Sequence, residues 1–452
     1  MAATPTPSAE GHTGGAGAVS ARWAVLGSAA ILVVLGVVTV RNAFTYPSLG
    51  GYDAQDYLTY AHDVVDGHLA AHGVGAYYTP PGYMALAGVA GELGEALDLR
   101  DPDHLGQLLN ALAVLGTGVL VFGLARVLWP TRPVLCISAV GFFSFYPTVV
   151  KTAAMFHPEP LGMLITAAAL YVLAQMVRRR GYSWRFAVPL GLLLGAGQLV
   201  RAWSIWVVVV AVVILGVAAY SEPTVRRAAL RSLAIAVALA VLVPSPWYVH
   251  QATAYSNPVF DRPQSHRFLL LRRPLAFYVD AHFPDVVSHP WEGHFNDRFL
   301  PVLYAETWGD YFGIWRWGPS RRGQTDAIDA ELVRQSELGL LPTALAFAGL
   351  VALLGLVVTR PREDIGRLVA VLPPLAAVAS VLYLAVAYQT PDGDTIKGTY
   401  MLPGVPALAL CFGFAFDALA RRRTLGIVLG VVLIASAPVR ATCSRSASAT
   451  RS

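Results

Sequence analysis

Charged side chains are scarce in this sequence of 452 residues. They make up 13% of the chain, whereas hydrophobic residues make up 55%. An ordinary soluble domain carries roughly 25% charged residues, so this composition excludes a water-soluble globular fold. Lysine is scarcer still, since Lys151 and Lys397 are the only two, and the formal net charge of +5 is therefore almost wholly an arginine effect. We interpret the arginine excess as a mark of membrane topology and not of nucleic-acid binding.

Cysteine is nearly absent as well. Cys136 and Cys411 lie within apolar runs, and Cys443 lies close to the C-terminus. This spacing excludes a disulfide framework and a cysteine-based metal site. Residues 1–22 are rich in Ala, Gly, Ser, Thr and Pro without periodicity, which predicts a disordered cytoplasmic arm, and residues 441–452 form a short tail.

Long apolar runs dominate the rest of the chain. Runs of about 20 apolar residues predict transmembrane helices, and about eleven such runs are present. We therefore predict an all-α polytopic membrane protein with a single transmembrane domain over residues 23–440. The first run is too long for the core of a cleaved signal and is expected to be retained. The predicted spans are 23–41, 104–126, 134–150, 160–177, 186–201, 203–220, 229–249, 338–359, 367–388, 399–417 and 424–440.

The distribution of basic residues predicts the orientation of these spans. Short cytoplasmic connections collect Lys and Arg. If the N-terminus is cytoplasmic, the short outer connections hold only Lys151, Arg201 and Lys397. The short inner connections then hold Arg126, Arg132, Arg178, Arg179, Arg180, Arg185, Arg226, Arg227, Arg231, Arg360, Arg362, Arg367, Arg421, Arg422 and Arg423. The split predicts a multi-pass protein of the plasma (inner) membrane, with long outer loops at about 42–103 and 250–337.

The octet GGYDAQDY, residues 50–57, follows the first span and carries two acids, Asp53 and Asp56. If a helix begins here, Asp53 is its cap and Asp56 lies in the first turn, where acids favour the helix dipole. The same spacing places both carboxylates on one helix face, so that one acts as a general base while the other holds a polar group or a metal. The sequence alone leaves both interpretations open.

The segment FHPEP, residues 156–160, offers a second polar cluster. His157 and Glu159 alternate with prolines, and with a carboxylate from another loop they would form a site for a divalent metal. The prolines equally end one helix and begin the next, with Glu159 in its first turn. We favour the second interpretation, with Glu159 also a candidate catalytic residue, and no cofactor follows with certainty from the sequence.

The three outer basic residues, Lys151, Arg201 and Lys397, each adjoin a predicted span. At that depth they can bind a lipid phosphate. The alternative is that a long side chain only reaches the membrane surface from its own helix. The alternative is weakest for Arg201, which lies in the shortest turn.

Several short motifs resemble the polytopic glycosyltransferases of the GT-C superfamily. Within it the sequence is most similar to the aminoarabinose and protein mannosyl transferases, which use lipid-phosphate sugars. The similarity covers most of residues 23–417. It is carried by GGYDAQDY (50–57), YYTPPGYMAL (77–86), FHPEPLGMLITAAALY (156–171), GLLLGAGQLVR (191–201), WGDYFGIW (308–315) and KGTYMLPGVPALAL (397–410).

The resemblance implies roles for particular residues. Asp53 matches the first-loop aspartate that serves as the catalytic carboxylate in the family. Glu159 matches a second acid that assists the reaction or helps to hold a metal. Relatives often have a phosphate-binding lysine before the double proline, where this sequence has Thr79. Another cation is therefore expected to bind the lipid phosphate here.

The segment 289–317 holds four of the ten tryptophans. Trp and Tyr favour the membrane surface, so a re-entrant or surface helix is one expectation. Flat aromatic rings also stack on sugars, and in relatives this late loop covers the active site. We therefore take Trp308, Asp310 and Tyr311 as candidate substrate contacts, together with Tyr78 of the double-proline motif and His157.

These residues predict sugar transfer from a polyprenyl-phosphate donor to an acceptor hydroxyl at the extracytoplasmic face. Asp53 would be the general base, with inversion at the anomeric carbon. The alternative is a transporter or flippase of a lipid-linked sugar or another small solute. Transporters place charges near the bilayer midplane and often contain repeats, whereas this sequence places its acids outside and shows no repeat. The expected partners are the lipid-linked donor and membrane lipids.

Overall fold

The structure is a computed structural model of the whole chain, and the residues it describes are 14–70, 76–257, 273–293, 298–315, 325–360, 364–390, 393 and 395–422. Helices account for nearly all the regular structure, and the described residues contain no β-strand. The expected all-α polytopic class is confirmed. In chain order the helices are α1 (Gly14–Thr45), α2 (Ala54–Val65), α3 (Gly82–Ala96), α4 (His104–Leu128), α5 (Pro133–Ser144), α6 (Pro147–Thr152), α7 (Glu159–Arg179), α8 (Trp184–Val200), α9 (Ile205–Ser221), α10 (Arg226–Leu242), α11 (Ser245–Tyr255), α12 (Leu275–Val279), α13 (Asp285–Ser288), α14 (Phe299–Trp308), α15 (Asp326–Thr359), α16 (Leu368–Ala387) and α17 (Val405–Ala420).

The long apolar helices follow the predicted spans closely. Within the described ranges, seven segments are long and apolar enough to cross a membrane, or eight if one bent pair is a single span. Two shorter apolar helices, α5 and α8, accompany them. Ten of the eleven predicted spans therefore coincide with apolar helices, and the eleventh, 424–440, lies outside the described residues, as does the tail. Helix α1 begins at Gly14, within the arm expected to be disordered, whose residues 1–13 are also outside the described ranges.

Prolines divide two of the predicted spans. The run 134–150 is two helices, α5 and α6, because Pro147 cannot continue the hydrogen-bond ladder of α5 but suits the first turn of α6. The run 229–249 bends by 41° between α10 and α11, where Pro244 and Pro246 fall. Spans predicted from apolar runs alone do not show where a proline breaks the helix.

Packing joins the helices into one bundle. Helix α4 packs against α1 and α7, α17 packs against α5 and α15, and α8 packs against α10. The 3₁₀ helix Gly398–Gly404 precedes α17 and packs against α7 and α16. The helix-to-helix contacts bury a continuous apolar core, as expected when neighbouring spans meet through small and aliphatic side chains.

The two ends of the bundle carry different charges. At one end, arginines pair with acids: Arg178 lies 3.3 Å from Asp364, and Arg180 lies 3.0 Å from Glu222. These are among the arginines that the charge distribution predicts to be cytoplasmic. The segments that precede α4, α7, α9 and α17 all meet at the opposite end, and the candidate site residues lie there.

The two long segments at that end contain helices of their own. Helices α2 and α3 occupy part of 42–103, and α2 packs on α3. The late segment 250–337 is shorter than predicted, because α11 continues to Tyr255 and α15 already begins at Asp326. Between them, α14 packs against α6, α15 and the 3₁₀ helix Gly398–Gly404. The late segment is therefore part of the core at this end of the bundle.

Candidate active site

The backbone bends sharply after α1, at the adjacent residues Tyr52 and Asp53. Gly51 has φ 110° and Asp53 has φ 52°, so two left-handed residues flank the tyrosine. This conformation costs an ordinary L-residue roughly 1 kcal/mol, and Asp is among the residues that tolerate it. Tyr52 is buried, with 4% of its surface exposed, while the carboxylate side chain of Asp53 is 49% exposed. The bend thus turns neighbouring side chains in opposite directions.

Asp53 occupies the N-cap position of α2 without capping it. Its side chain accepts no hydrogen bond from the first turn of this helix, which is described in full. Its Oδ2 instead lies 3.7 Å from Nζ of Lys397, whose side chain is 11% exposed. The interpretation of Asp53 as a simple helix cap is therefore not what the geometry favours. The carboxylate is paired across the chain with one of the three predicted phosphate-binding cations.

Arg201 lies in the extended turn between α8 and the 3₁₀ helix Ala202–Ser204. Its Nε donates to Oε1 of Glu159 at 2.8 Å, and one terminal nitrogen donates to the Tyr57 hydroxyl at 3.3 Å. The guanidinium also lies 5.6 Å from the centre of the Tyr400 ring. These contacts fix the planar fork of the arginine in one orientation.

Asp53 and Arg201 line the same cleft, which encloses about 570 Å³ of empty space, part of it open to the surroundings. Tyr78 and Thr79 also face it, so the structure brings together three predicted site residues and the position at which relatives have a lysine. The described lining residues are Asp53, Tyr57, Tyr78, Thr79, Pro80, Arg201, Ala202, Trp203, Leu384, Tyr388, Thr395 and Tyr400.

Two further pockets adjoin this cleft. One shares Arg201, Trp203 and Tyr400 with it and reaches Glu159. The other also shares Trp203 and Tyr400, and its remaining walls are mainly apolar side chains of α9 and α16, among them Val207 and Ala377. The surroundings of Arg201 therefore change from polar to apolar over a short distance toward the membrane-spanning helices.

His157 and Glu159 are buried behind Arg201. His157 Nδ1 lies 3.4 Å from Glu159 Oε2, and within the described part of the chain neither atom has a hydrogen-bond partner. Burial, and next the Arg201 charge, lower the pKa of His157 well below its usual range, with Lys397 acting in the same direction against Asp53. The imidazole is therefore neutral. Its ring meets those of Tyr57 and Tyr52 edge to face.

A divalent metal does not fit this pair. No group of three or more His, Cys, Asp or Glu side chains with metal-binding spacing occurs in the described ranges. One oxygen of Glu159 is already bonded to Arg201, and a guanidinium and a metal ion would repel each other at one carboxylate. We derive no step that uses a metal.

Asp56 lies in the first turn of α2, as the spacing predicts, and is partly buried. Burial, and next the nearby charge of Asp53, raise the pKa of Asp56 above its ordinary value. Asp56 is not among the described lining residues of the cleft, although it is close enough to Asp53 for their charges to interact.

Lys151 does not line the cleft and is held by the late segment. Its Nζ donates to the backbone oxygens of Glu306 at 3.0 Å and Gly309 at 2.9 Å, and lies 3.6 Å from Glu306 Oε2. The ammonium therefore faces the late segment. Of the three predicted phosphate-binding cations, the structure brings Arg201 and Lys397 to Asp53 and places Lys151 elsewhere.

The candidates from the late segment lie in the core. Trp308 is 2% exposed and donates to the Thr343 hydroxyl at 2.8 Å. Asp310 accepts from the backbone of Trp315 at 2.9 Å, and Tyr311 has no exposed surface. None of the three is among the described residues that line the cleft. Core packing and sugar stacking use the same aromatic residues, so composition cannot separate them.

Sequence reasoning passed over several aromatic residues at the cleft, including Tyr57, Tyr400 and Trp203. A signal for Tyr57 was available, because a residue four positions after Asp53 lies on the same helix face. Tyr400 follows Lys397 within the KGTYMLPG motif. Nothing in the sequence singled out Trp203 from the other aromatic residues near the membrane surface.

Part of the chain resembles a known protein family. Residues 101–250, which include α4 to α10 and hence Lys151, His157, Glu159 and Arg201, match the model of the dolichyl-phosphate-mannose-protein mannosyltransferase family. No curated protein matches the chain.

Two solved structures resemble the whole bundle. ArnT from Cupriavidus metallidurans, solved with bound undecaprenyl phosphate, is 18% identical with a TM-score of 0.52. The archaeal oligosaccharyltransferase AglB from Archaeoglobus fulgidus, solved with an inhibitory peptide and a dolichol-phosphate, is 13% identical with a TM-score of 0.56. Each alignment covers 92% of this chain. The chain has the GT-C fold.

The GT-C resemblance read from the motifs is thereby confirmed at the level of the fold, and the protein is a multi-pass membrane protein. The alignments cover 63% of the ArnT chain and 56% of the AglB chain. This chain thus spans less than two thirds of the length of either solved structure.

Proposed function

We propose that the protein transfers a sugar from a polyprenyl-phosphate donor to an acceptor hydroxyl at the extracytoplasmic face of the plasma membrane, with inversion. The observation that carries this proposal is that a half-exposed carboxylate, Asp53, lines one cleft with Arg201 and is paired with a second cation, Lys397. A carboxylate base and a phosphate-binding pair are what this reaction needs. The GT-C fold and the ligands of its solved relatives support the assignment.

The donor would bind with its phosphate at Arg201 and its isoprenoid in the apolar pocket between α9 and α16. Arg201 is held by Glu159 and Tyr57, so its orientation is fixed before the donor arrives. A planar guanidinium binds two phosphate oxygens at once. In this proposal Lys397 serves in place of the lysine that Thr79 replaces.

In the reaction, the acceptor oxygen attacks the anomeric carbon while the bond from that carbon to the phosphate oxygen breaks. The hydroxyl proton passes to Asp53, and polyprenyl phosphate leaves with the electrons of the broken bond. Negative charge on the leaving phosphate grows along this path, so Arg201 and Lys397 stabilise the transition state more than the ground state. A single displacement inverts the anomeric centre.

The Lys397–Asp53 pair supplies an order of events. Before the donor binds, the ammonium lies beside the carboxylate. The donor phosphate is a diester with one negative charge, and its charge rises toward two as the bond to the sugar breaks, which draws the ammonium toward the phosphate. Asp53 then loses a cationic neighbour, and a carboxylate without such a neighbour is a stronger base.

The remaining predicted residues take supporting roles in this scheme. Tyr78 lines the cleft and would contact the substrate. Asp56 would act on Asp53 through its charge, and His157 would support Glu159 from behind. Lys151, Trp308, Asp310 and Tyr311 would hold the late segment in place.

Two measurements on purified protein in lipid nanodiscs test the proposal. The first is binding of undecaprenyl phosphate, and the second is transfer from radiolabelled undecaprenyl-phosphate sugars to acceptors extracted from the cell envelope. We expect wild-type protein to bind and to transfer, and Asp53→Asn to bind without transferring. In proteoliposomes, movement of the labelled lipid across the bilayer without transfer would instead identify a flippase. Failure to bind undecaprenyl phosphate would refute the proposed donor.

A further inference from the structure

Glu306 is a wholly buried carboxylate that the proposed reaction does not use. It lies on α14, and its exposed surface is 0%. A charge so placed is costly unless it is paired and hydrogen-bonded. Its partners, Phe312, Tyr52 and Lys151, come from three separate segments at the same end of the bundle as the cleft.

Both oxygens of the Glu306 carboxylate are engaged. Oε1 accepts from the backbone nitrogen of Phe312 at 3.1 Å. Oε2 accepts from the hydroxyl of Tyr52 and lies 3.6 Å from Nζ of Lys151. Lys151 balances the charge, and its remaining donors go to backbone oxygens of the late segment. The carboxylate therefore has one fixed position.

Tyr52 links the Glu306 carboxylate to Lys397, near the cleft. Its hydroxyl points at Glu306, and the centre of its ring lies 4.8 Å from Nζ of Lys397. A phenol that donates to a carboxylate gains electron density in its ring, and a richer ring attracts a cation more strongly. Lys397 in turn lies 3.7 Å from Asp53. The order of contacts is Lys151, Glu306, Tyr52, Lys397, Asp53.

The backbone of Lys397 is anchored to the same residue. Its neighbour Gly398 approaches α14 so closely that a Cβ atom there would lie 3.0 Å from the carbonyl carbon and oxygen of Glu306. Those are backbone atoms, which cannot rotate away. The backbone beside this lysine therefore packs directly on the backbone of α14, and its side chain lies against the ring that Glu306 holds.

We propose that Glu306 is a positioning residue that holds the Lys397 ammonium beside Asp53 by fixing the Tyr52 ring. The consequence for turnover rests on the proposed function, whereas the hold on Lys397 does not. The competing explanation is that Glu306 only fastens α14 to the bundle.

The first test measures how tightly Lys397 is held, without any substrate. Lys151 and Lys397 are the only lysines, so trace acetylation followed by mass spectrometry reports each one separately, with the α-amino group as reference. The probe is acetic anhydride, applied to the full chain in nanodiscs. We expect Tyr52→Phe, which keeps the ring and removes the hydroxyl, to raise Lys397 acetylation about two- to fivefold, the range given by a partial loss of a cation–π contact.

Tyr304→Phe is the matched control. Tyr304 also lies on α14 and donates its hydroxyl to a backbone oxygen, that of Ser336. Its loss weakens the attachment of α14 without touching Tyr52, so we expect Lys397 acetylation to stay at the wild-type level. Equal acetylation in wild type and Tyr52→Phe would overturn the proposal, and so would an equal rise in both variants.

A double variant covers the case in which Tyr52→Phe does not fold. Glu306→Gln combined with Lys151→Met removes both charges together and leaves no buried charge unpaired. We expect acetylation of Lys397 to rise in this protein as well. An unchanged rate would count against Glu306 as the anchor.

The second test uses the pH profile of transfer. A carboxylate that loses part of its ammonium neighbour binds protons more readily, so Tyr52→Phe should move the acid limb of kcat upward by about half a pH unit. KM for the donor should change less than kcat. Absence of transfer by wild-type protein would refute the proposed function and leave the acetylation result to decide the role of Glu306. A wild-type acid limb in Tyr52→Phe would refute the positioning role.

Discussion

Among the described residues, two lysine–carboxylate pairs have nearly the same distance between their charged groups but differ in how exposed they are. Nζ of Lys151 lies 3.6 Å from Glu306, and Nζ of Lys397 lies 3.7 Å from Asp53. The side chains of the first pair are 6% and 0% exposed, whereas those of the second are 11% and 49% exposed. The distance between charges therefore does not distinguish a structural pair from a reactive one.

The difference lies in what else each pair contacts. In the first pair, Lys151 donates hydrogen bonds to backbone carbonyl oxygens. The Glu306 carboxylate accepts hydrogen bonds from the Tyr52 hydroxyl and from a backbone N–H. In the second, the carboxylate opens onto a cleft lined by Arg201. We call the first pair closed, because protein groups occupy all its contacts, and the second open, because its carboxylate faces the cleft. A closed pair holds segments together, whereas an open pair can exchange its partner for a substrate.

The largest effect is expected from removing the open carboxylate. Asp53→Asn should lower the rate of sugar transfer about 10³- to 10⁴-fold, the upper part of the range for a lost general base. Binding of undecaprenyl phosphate should persist, since the cations remain. The matched control is Asp66→Asn at the other end of α2, where the side chain is exposed, and it should transfer at the wild-type rate. Transfer by Asp53→Asn at near wild-type rates would place the base elsewhere.

Removing each lysine in turn compares the two pairs directly. Lys151→Met leaves the buried Glu306 carboxylate without its cationic partner and should cost about 3–5 kcal/mol of stability. Lys397→Met leaves a half-exposed carboxylate and should cost less than about 1 kcal/mol. Thermal melting in nanodiscs measures both. Equal losses of melting temperature would show that the two pairs do the same work.

A smaller effect is expected from changing the shape of the proposed phosphate-binding cation, Arg201, while keeping its charge. Arg201→Lys loses the fork that contacts Glu159 and Tyr57, and affinity for undecaprenyl phosphate should fall about tenfold. Arg298→Lys is the control, because Arg298 pairs with Asp280 away from the cleft. Unchanged affinity in Arg201→Lys would show that the site recognises charge alone.

The smallest effect concerns pH. Burial and the Arg201 charge lower the pKa of His157, so unfolding takes up a proton at this residue once the pH falls below about 6.5. Stability from the neutral imidazole is therefore complete above that pH and is lost below it, by up to about 1.4 kcal/mol per pH unit. His157→Gln should lose this part of the pH dependence of melting, and His68→Gln, at an exposed position, should keep it. Parallel melting curves for wild type and His157→Gln would contradict a neutral, buried His157.

Much of the fold was predictable because a bilayer demands long apolar helices, and runs such as 104–126 and 160–177 show this demand directly. The fold departs from the prediction where a local feature overrides apolarity. Pro147 divides one span, and α15 extends far beyond its apolar part to Asp326. Helix-forming polar residues such as Glu331 carry α15 past its apolar part, and a hydropathy window does not count them.

The site was predictable in part for a different reason. Arg201 and Lys397 stand out because basic residues are rare in the short outer connections, and Asp53 stands out through its motif after the first span. Topology brings these segments to one end. Their pairing was not predictable, since residues 53 and 397 meet only through tertiary packing. Lys151 carried the same signal as Lys397, and only the position of Glu306 sends it to a different place.

The tight approach of Gly398 to α14 limits how this protein can be re-engineered. Any larger amino acid at 398 meets main-chain atoms, so a library that randomises this position should favour glycine. Thr395 and Tyr388 border the cleft that Asp53 and Arg201 line. Attempts to alter which acceptor is glycosylated would do better to begin there.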